Sequence, residues 1–290
     1  MRRWVVAATV GVVTGIACTA LAAGAVKERS ASTTITQTEE FDSATASCKR
    51  GSTAVSGGFE GTGYEQGVTP QLLPIDSARA GKRQWTSAGA FFLSAGTTSG
   101  EFTSYVYCDD SKPRLKTKSA TTTLADSGTP DAIGSATAKC KRGSVAVSGG
   151  FDSSDFLNNF SGPAIFPLTS RRAGKRKWTV SAFNDGGEAG ELVAYAYCDK
   201  SEPRLKTKTE SATVDLFPDT SFATAKCKKK SKVVSGGFDS PDYDPSGTEE
   251  ETFPFVSRRS GRRGWSVGGF NVSTSRSLDI VAYAYCEKKD

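Results

Sequence analysis

The feature that most constrains this chain is a cysteine-framed unit that occurs three times in succession. Each copy opens with a segment ending in Ser-Gly-Gly-Phe, continues through a proline and a tryptophan, and closes on Tyr-x-Tyr-Cys; the opening segments lie at 44–59, 136–151 and 223–238. In every copy the tryptophan follows the proline by 11 residues. A repeat of this kind predicts one supersecondary unit used three times, with the copies packed on each other.

Residues 1–25 have the three-part pattern of a secretory signal. Two arginines precede an uncharged apolar stretch, and small residues at 22–25 offer cleavage sites. An uncleaved anchor is the alternative, because the apolar run approaches the roughly 20 residues that span a bilayer. Cys18 lacks the preceding leucine typical of lipidation sites. We expect a secreted or cell-envelope protein without a membrane span after cleavage, and a short leader at 26–31.

Loss of Cys18 with the signal leaves six cysteines, one early and one late in each unit. Six cysteines in an exported chain predict disulfides. Pairing within each unit is the economical choice, with separations of 60, 58 and 59 residues, and gives Cys48–Cys108, Cys140–Cys198 and Cys227–Cys286. A ring that joins each late cysteine to the next early one has the same symmetry and is the alternative. A loop of this size contributes about 4 kcal/mol in the chain-entropy description.

Alternating apolar and polar residues dominate the chain after the signal. Segments 178–182 and 192–198 alternate, and threonine-rich runs open the units. A period of two predicts strands, and connections too short for crossovers make neighbouring strands antiparallel. We predict an all-β protein of three tandem antiparallel β modules with five or six strands each and one disulfide per module. They form separate small sandwiches or together a pseudo-threefold prism, over residues 32–118, 119–208 and 209–290, with short joints at 113–118 and 203–208.

The Ser-Gly-Gly-Phe motif invites comparison with a phosphate-binding loop. No Lys-Ser/Thr pair stands where a nucleotide loop needs it, and the motif lies inside a strand pattern. Paired glycines in a strand mark a bulge or close packing against a large side chain, here the repeated tryptophan. We therefore predict a structural role for the motif and a core position for Trp85, Trp178 and Trp265. A solvent-facing sugar platform is the alternative for the tryptophans.

A basic hairpin lies between each proline and tryptophan. It is strongest in the second and third units, so the candidate binding residues are Arg171, Arg172, Lys175, Arg176, Arg258, Arg259, Arg262 and Arg263. A second basic cluster follows the first cysteine of each unit, at 49–50, 141–142 and 228–230. Repeated cationic tips can hold a polyanion multivalently. Such tips also serve as solvated edges or as intermodule pairs. Removal of Arg2 and Arg3 takes the 37 basic residues to 35 against 31 acidic ones, a net charge of only +4.

Acidic residues collect in the loop after the third Ser-Gly-Gly-Phe. Asp242 and Asp244 overlap the start of a calcium loop, but its twelfth position is Phe253 and no helices flank it. A looser calcium site on Asp239, Asp242 and Asp244 is the one metal candidate. No cofactor is predicted.

The chain contains no histidine. This excludes Ser-His-Asp and Cys-His catalysis and histidine-ligated zinc. Disulfide formation removes the thiols, so carboxylate chemistry of the glycoside-hydrolase kind is what remains. The loop carboxylates differ from unit to unit, and no pair can be placed at a defined separation. We therefore predict a protein that is not an enzyme, with a glycan-cleaving enzyme as a remote alternative.

Three motifs carry a resemblance to known proteins: Cys-Lys-Arg-Gly-Ser-x-Ala-Val-Ser-Gly-Gly-Phe, Ser-Arg-Arg-Ala-Gly-Lys-Arg-x-Trp and Ala-Tyr-Ala-Tyr-Cys. Over 32–290 the chain resembles uncharacterised exported repeat proteins of actinobacteria, which implies export and repetition but no activity. The cysteine-framed Gly-Phe segment used three times also resembles vitelline membrane outer layer protein I, a three-sheet β-prism. That resemblance implies the prism architecture and no functional residues.

Together these features predict a cell-envelope or extracellular binding protein whose partner is an anionic or neutral envelope polysaccharide, or another anionic polymer. A structural or adhesive envelope protein that acts through protein–protein contacts is the alternative. Nucleic acid is not an expected partner, because no recognised reader motif is present. The sequence leaves the oligomeric state open.

Overall fold

In a computed structural model, the described residues are 26–36, 41–62, 72–91, 99–153, 162–242 and 251–288. They form eighteen strands and a short 3-10 helix, Pro130–Ala132. The first module contains β1 (Lys27–Thr36), β2 (Phe41–Ser47), β3 (Thr53–Gly61), β4 (Leu72–Ala78), β5 (Gln84–Phe91) and β6 (Ser99–Asp109). The second contains β7 (Lys116–Leu124), β8 (Ile133–Lys139), β9 (Val145–Asp152), β10 (Ile165–Arg172), β11 (Lys177–Asn184) and β12 (Gly190–Asp199). The third contains β13 (Leu205–Val214), β14 (Thr220–Lys226), β15 (Ser231–Asp239), β16 (Thr252–Ser260), β17 (Gly264–Asn271) and β18 (Leu278–Lys288).

The all-β prediction is confirmed, and each module has six strands. The expected signal at 1–25 lies outside the described residues. Among those that are described, no helix has the length and apolar character to cross a membrane. Strand β1 begins at Lys27, inside the predicted leader, and β7 and β13 begin inside the predicted joints. The modules therefore start three to five residues before the predicted boundaries at 32, 119 and 209.

Each of the three sheets is shared by two modules. The strand orders are β1-β6-β3-β16-β17-β14, β2-β5-β4-β9-β12-β7 and β13-β18-β15-β10-β11-β8. Every module gives one half-sheet to each of two sheets, and its two halves pack face to face through pairs such as β1 with β2 and β5 with β6. The modules are thus sandwiches, and they also close into a pseudo-threefold ring. The two predicted architectures are both present in one molecule.

The modules meet at three short junctions, and each junction consists of two residue pairs. Junction 1–2 joins β4 to β9, junction 2–3 joins β10 to β15, and junction 3–1 joins β16 to β3. In each case the residue pairs stand in the same relative register: Asp76↔Asp152 and Ser77↔Phe151, Thr169↔Asp239 and Ser170↔Phe238, Val256↔Glu60 and Ser257↔Phe59.

The Ser-Gly-Gly-Phe motif builds these junctions. In the second module, a Cβ on Gly149 would lie 2.2 Å from the ring of Trp178, and a Cβ on Gly150 would lie 2.3 Å from the carbonyl oxygen of Ser77. Only glycine permits both approaches, one within the module and one across the junction. A bulge interrupts the pairing of β9 with β12 just before the motif. The predicted structural role is confirmed.

The phenylalanines of the motif meet on the pseudo-threefold axis. Phe59, Phe151 and Phe238 are at most 2 % exposed, and their ring centroids lie 5.9–6.1 Å apart in edge-to-face contact. This arrangement is favoured by the quadrupoles of the rings. The centre of the molecule is therefore made of one side chain from each module.

The tryptophans are core residues, as predicted, and each is 1–2 % exposed. Trp178 donates from Nε1 to Ser170 Oγ over 3.0 Å and packs edge to face on Tyr285, a residue of the third module, with centroids 5.5 Å apart. The Tyr285 hydroxyl accepts a hydrogen bond from the backbone N–H of Arg172 at 2.6 Å. The same contacts recur at the other two junctions. Each tryptophan therefore links its own module to a neighbour, and the sugar-platform alternative is wrong.

The disulfide prediction is confirmed in each module. The bridges are Cys48–Cys108, Cys140–Cys198 and Cys227–Cys286, with Cα–Cα distances of 5.6 Å. The alternative ring pairing is wrong. Each bridge links the residue after the second strand to the sixth strand, so it joins the two half-sheets of one sandwich.

Candidate anion-binding end

The first arginine of the basic hairpin in the second and third modules pairs with a carboxylate of another module. Arg171 Nε lies 2.9 Å from Asp239 Oδ2 across junction 2–3, and Arg258 Nε lies 3.0 Å from Glu60 Oε2 across junction 3–1. Each guanidinium also lies 5.5 Å from a tyrosine ring centroid of the facing module. Of the functions considered for the hairpins, intermodule pairing describes these two residues.

Arg172 and Arg259 close their own turns. Arg172 Nη2 donates to the carbonyl oxygen of Lys175 at 2.9 Å. Arg259 donates to the carbonyl oxygens of Gly261 and Val26, both at 2.9 Å. Both guanidinium groups thus donate to backbone carbonyls, while Arg172 Nε is buried and has no hydrogen-bond partner among the described residues. The exposed cations of the hairpins are those at the tips, such as Lys175 and Arg262.

The tip cations lie beside the second basic cluster of the same module. Backbone N–H groups of Cys48 and Ala54 donate to the carbonyl oxygens of Arg83 and Lys82, at 2.8 and 3.0 Å. The second and third modules repeat these bonds, with Arg176 and Lys175, and with Arg263 and Arg262, as acceptors. Two basic clusters that are more than 30 residues apart in the sequence therefore form one cationic patch per module.

In the first module this patch surrounds a cleft of about 370 Å³. Four cationic residues, two from the hairpin and two from loops, line it together with backbone and hydroxyl groups: Arg50, Lys82, Arg83 and Lys112, with Gly51, Ser52 and Thr53. The four cations are exposed. Thr53 is fully buried, and its Oγ1 has no hydrogen-bond partner among the described residues.

An aspartate borders this cleft but is already paired. Asp110 accepts from Lys27 Nζ at 2.8 Å and from Ser52 Oγ at 2.6 Å. These two bonds lower the pKa of the Asp110 carboxyl. The carboxylate therefore stays charged. Its charge is balanced by Lys27, which lies on β1 and is not part of the cleft lining. The cleft is left with an excess of positive charge.

The three patches are not equivalent. In the second module Glu202 takes the place of Lys112, and its Oε2 lies 2.6 Å from Lys175 Nζ. Both residues have positive φ, 57° for Lys112 and 51° for Glu202. The same backbone position thus adds a cation to the first patch and neutralises one in the second.

A cavity of about 690 Å³ lies at the same end of the molecule, on the pseudo-threefold axis. Its lining includes one valine from each module, Val55, Val147 and Val234, and residues on either side of Lys112 and Glu202. Lys232 in its wall pairs with Glu287 at 3.1 Å. We call this cavity, with the three basic patches around it, the basic end.

The calcium candidates do not converge. Asp239 is paired with Arg171, and Asp242 Oδ2 accepts from the backbone N–H of Asp279 at 2.7 Å. Asp244 lies outside the described residues. Among those described, no group of three or more acidic or cysteine side chains is placed to hold a metal ion.

Comparison with protein-family models and with curated proteins finds no match to this chain. The basic end is therefore interpreted from its own geometry. Sequence patterns identified both basic clusters but not that they lie side by side. The hydrogen bonds that join them connect segments that lie far apart in the chain. The axial cavity had no sequence signal, since each module contributes only a few of its residues.

Proposed function

We propose that this protein is a non-enzymatic binding protein that holds an anionic polymer across its basic end. The observation that supports it most is the cleft of the first module, which is surrounded by four exposed cations. Thr53 also lines this cleft, and its buried hydroxyl has no hydrogen-bond partner among the described residues. Cations in a concave surface raise the local concentration of anions. Lysines present mobile point charges, and arginines present a planar fork that matches phosphate or carboxylate.

The threefold arrangement favours a polymer over a small anion. The patches surround one axis, so a chain that crosses the basic end meets more than one of them. The second and later contacts are then intramolecular and add affinity without stronger individual sites. The axial cavity has the size of a small-ligand pocket, and its lining includes one valine from each module. It can therefore take a less polar unit of such a chain.

The proposed location is the cell envelope or the extracellular space. Three disulfides with ordinary Cα–Cα distances favour an oxidising compartment. Polymers of that compartment include phosphodiester-linked and uronic-acid polysaccharides, both of which present anions along an extended chain.

The test is binding of residues 26–290 to a poly(glycerol phosphate) chain, a uronic-acid polysaccharide, a neutral glucan and DNA, at low and high salt. We expect the two anionic glycopolymers to bind at low salt and to dissociate as salt screens the charges. Absence of binding to every anionic polymer at low salt would refute the proposal. Binding to the neutral glucan alone would refute the electrostatic basis.

The structure also determines which variants are informative. Substitution of Arg258 or Arg259 removes intermodule contacts, so it tests folding as much as binding. Lys112→Glu copies the second module onto the first and should weaken polymer binding, whereas Glu202→Lys does the reverse and should strengthen it. Arg276→Glu, beyond the opposite end of β17 from the basic tip, is the matched control, because it changes the net charge by the same two units as Lys112→Glu. Equal effects of Lys112→Glu and Arg276→Glu would place the polymer elsewhere.

The adhesive alternative is favoured by one observation. Leu216, Phe217 and Phe222, all in the third module, are 44, 43 and 56 % exposed. Exposed apolar side chains that lie close together in a chain are typical of protein–protein contacts. Sedimentation of the wild-type chain and of Phe222→Ser at high salt tests this: self-association that persists in high salt and is lost in the variant supports it, and a monomer at all concentrations contradicts it.

A further inference from the structure

The three junctions share one backbone geometry but not one set of side chains. A Cβ on Gly237 would lie 3.1 Å from the Cα of Arg171, and a Cβ on Gly150 would lie 3.2 Å from the Cα of Ala78. Because these distances agree and the strand registers are the same, Ala78 occupies at junction 1–2 the backbone position that arginine occupies elsewhere.

At the other two junctions that arginine fills a defined place. Arg171 lies between the carboxylate of Asp239, at 2.9 Å, and the ring of Tyr283, at 5.5 Å. The Tyr283 hydroxyl donates to the same carboxylate at 3.1 Å. Junction 3–1 repeats the arrangement at 3.0 and 5.5 Å with Arg258, Glu60 and Tyr105. A carboxylate and an aromatic face together hold a planar cation at both places.

Junction 1–2 keeps the carboxylate and the tyrosine, and has Ala78 where the other junctions have arginine. The Tyr195 hydroxyl donates to Asp152 Oδ2 at 3.3 Å, as its counterparts do to their carboxylates. The residue facing Asp152 is Asp76, where the other junctions have Thr169 or Val256. Asp76 Oδ1 is buried and has no hydrogen-bond partner among the described residues. Burial, followed by the charge of Asp152, raises the pKa of Asp76 well above its usual value.

We propose that junction 1–2 is a receptor for a guanidinium group, the side chain of an arginine in another polypeptide. Two carboxyl groups offer the acceptor atoms that a guanidinium fork requires, and the Tyr195 ring offers the face on which it stacks. Ala78, Asp152 and Tyr195 are each partly exposed, so an incoming side chain can reach them. Asp76 is partly exposed as a residue but its Oδ1 is buried, so this atom is reached only from within the site. This site lies among acidic residues at a junction and is independent of polymer binding at the basic end.

A guanidinium fits this site better than a metal ion does. Calcium takes six to eight oxygen ligands, and here two carboxyl groups and one phenol converge. The same protein fills the two equivalent sites with guanidinium groups. A cationic side chain would also stabilise the ionised form of Asp76, which removes the cost of a buried carboxylate beside a second one.

The experiment is an NMR titration of residues 26–290 with N-acetyl-arginine amide, with N-acetyl-lysine amide and calcium chloride as comparison probes. In the wild type we expect saturable shifts at the Tyr195 ring and the Asp76 and Ala78 amides with the arginine probe, at least tenfold tighter than with the lysine probe. Ala78→Arg supplies the missing side chain from within and should abolish these shifts. Asp76→Asn should weaken the arginine probe at least tenfold.

Melting temperatures distinguish an Ala78→Arg side chain that binds in the site from one that only blocks access to it. Ala78→Arg should melt at a higher temperature than Ala78→Met, which has a long apolar side chain and no guanidinium. The proposal is overturned if the arginine probe shifts no resonance of the junction, if it perturbs Ala78→Arg as much as the wild type, or if calcium alone produces the shifts. It is equally overturned if Asp76→Asn binds the probe as tightly as the wild type.

Discussion

Replacement of the buried Gly237, in strand β15, by alanine should weaken the contact between the second and third modules, whereas the same replacement at an exposed turn should not. The new Cβ would lie 2.3 Å from the carbonyl oxygen of Ser170, a backbone atom of the neighbouring module. A backbone oxygen cannot rotate away as a side chain can. The two strands of junction 2–3 must therefore separate by about 1 Å to restore ordinary contact.

The cost has two parts. Forcing extra volume into a packed site costs about 1–3 kcal/mol. Strand pairing at junction 2–3 consists of only two residue pairs, and the loss of about two backbone hydrogen bonds there adds about 1 kcal/mol for each bond. The sum, about 3–5 kcal/mol, corresponds to a fall in melting temperature on the order of 10 °C for a chain of this size.

Calorimetric melting of residues 26–290 measures the change, with Gly81→Ala as the matched control. The nearest atom to a Cβ on Gly81 is Gln84 Oε1 at 3.5 Å, so that variant should stay within about 0.5 kcal/mol of the wild type. Gly58→Ala and Gly150→Ala are internal replicates, because their Cβ atoms would meet the facing carbonyl at 2.2 and 2.3 Å. If Gly237→Ala has the same melting temperature as the Gly81→Ala control, the strand pairing at the junctions does not contribute measurably to the stability of the protein.

Three further changes should alter stability in predictable directions. Tyr285→Phe leaves the N–H of Arg172 without its partner in a partly buried place and should cost about 1 kcal/mol in urea unfolding; an unchanged midpoint would contradict this. Asp76→Asn should stabilise the protein at neutral pH, because the raised pKa of Asp76 penalises its ionised form in the folded state. That gain should be absent below the ordinary aspartate pKa, about 3.9, and should grow as pH rises from there to the folded-state value, above which it is constant; a gain independent of pH in melting curves would argue against it. Joint replacement of Cys140 and Cys198 by serine should cost about 4 kcal/mol in the chain-entropy description, and retention of the wild-type melting temperature would contradict it.

Local patterns in the sequence were sufficient for the elements of the fold. Alternation identified the strands, the repeat identified the modules, and the equal cysteine spacings identified the disulfides. These properties depend on residues near each other in the chain or on comparison between copies. The paired glycines were correctly assigned to close packing, although their second partner, the carbonyl of another module, was not foreseen.

The candidate site was predicted only in part, because charge alone does not reveal how a cation is used. Arg258 and Arg262 look alike in the sequence. The first is paired with Glu60 across junction 3–1, whereas the second lies at an exposed hairpin tip. Lys112 was not among the predicted binding residues, since its position beside the cleft comes from the turn after β6.

The sequence by itself determined three β modules, each closed by its own disulfide, because strand pattern and cysteine spacing are local properties. Tertiary structure alone decided that the modules share sheets, that Phe59, Phe151 and Phe238 meet on one axis, and that Ala78 stands at junction 1–2 where arginines pair across the other two junctions. These features arise where side chains from different modules meet across a short stretch of paired strand. Contacts of that kind depend on the relative placement of whole modules, which no local pattern encodes.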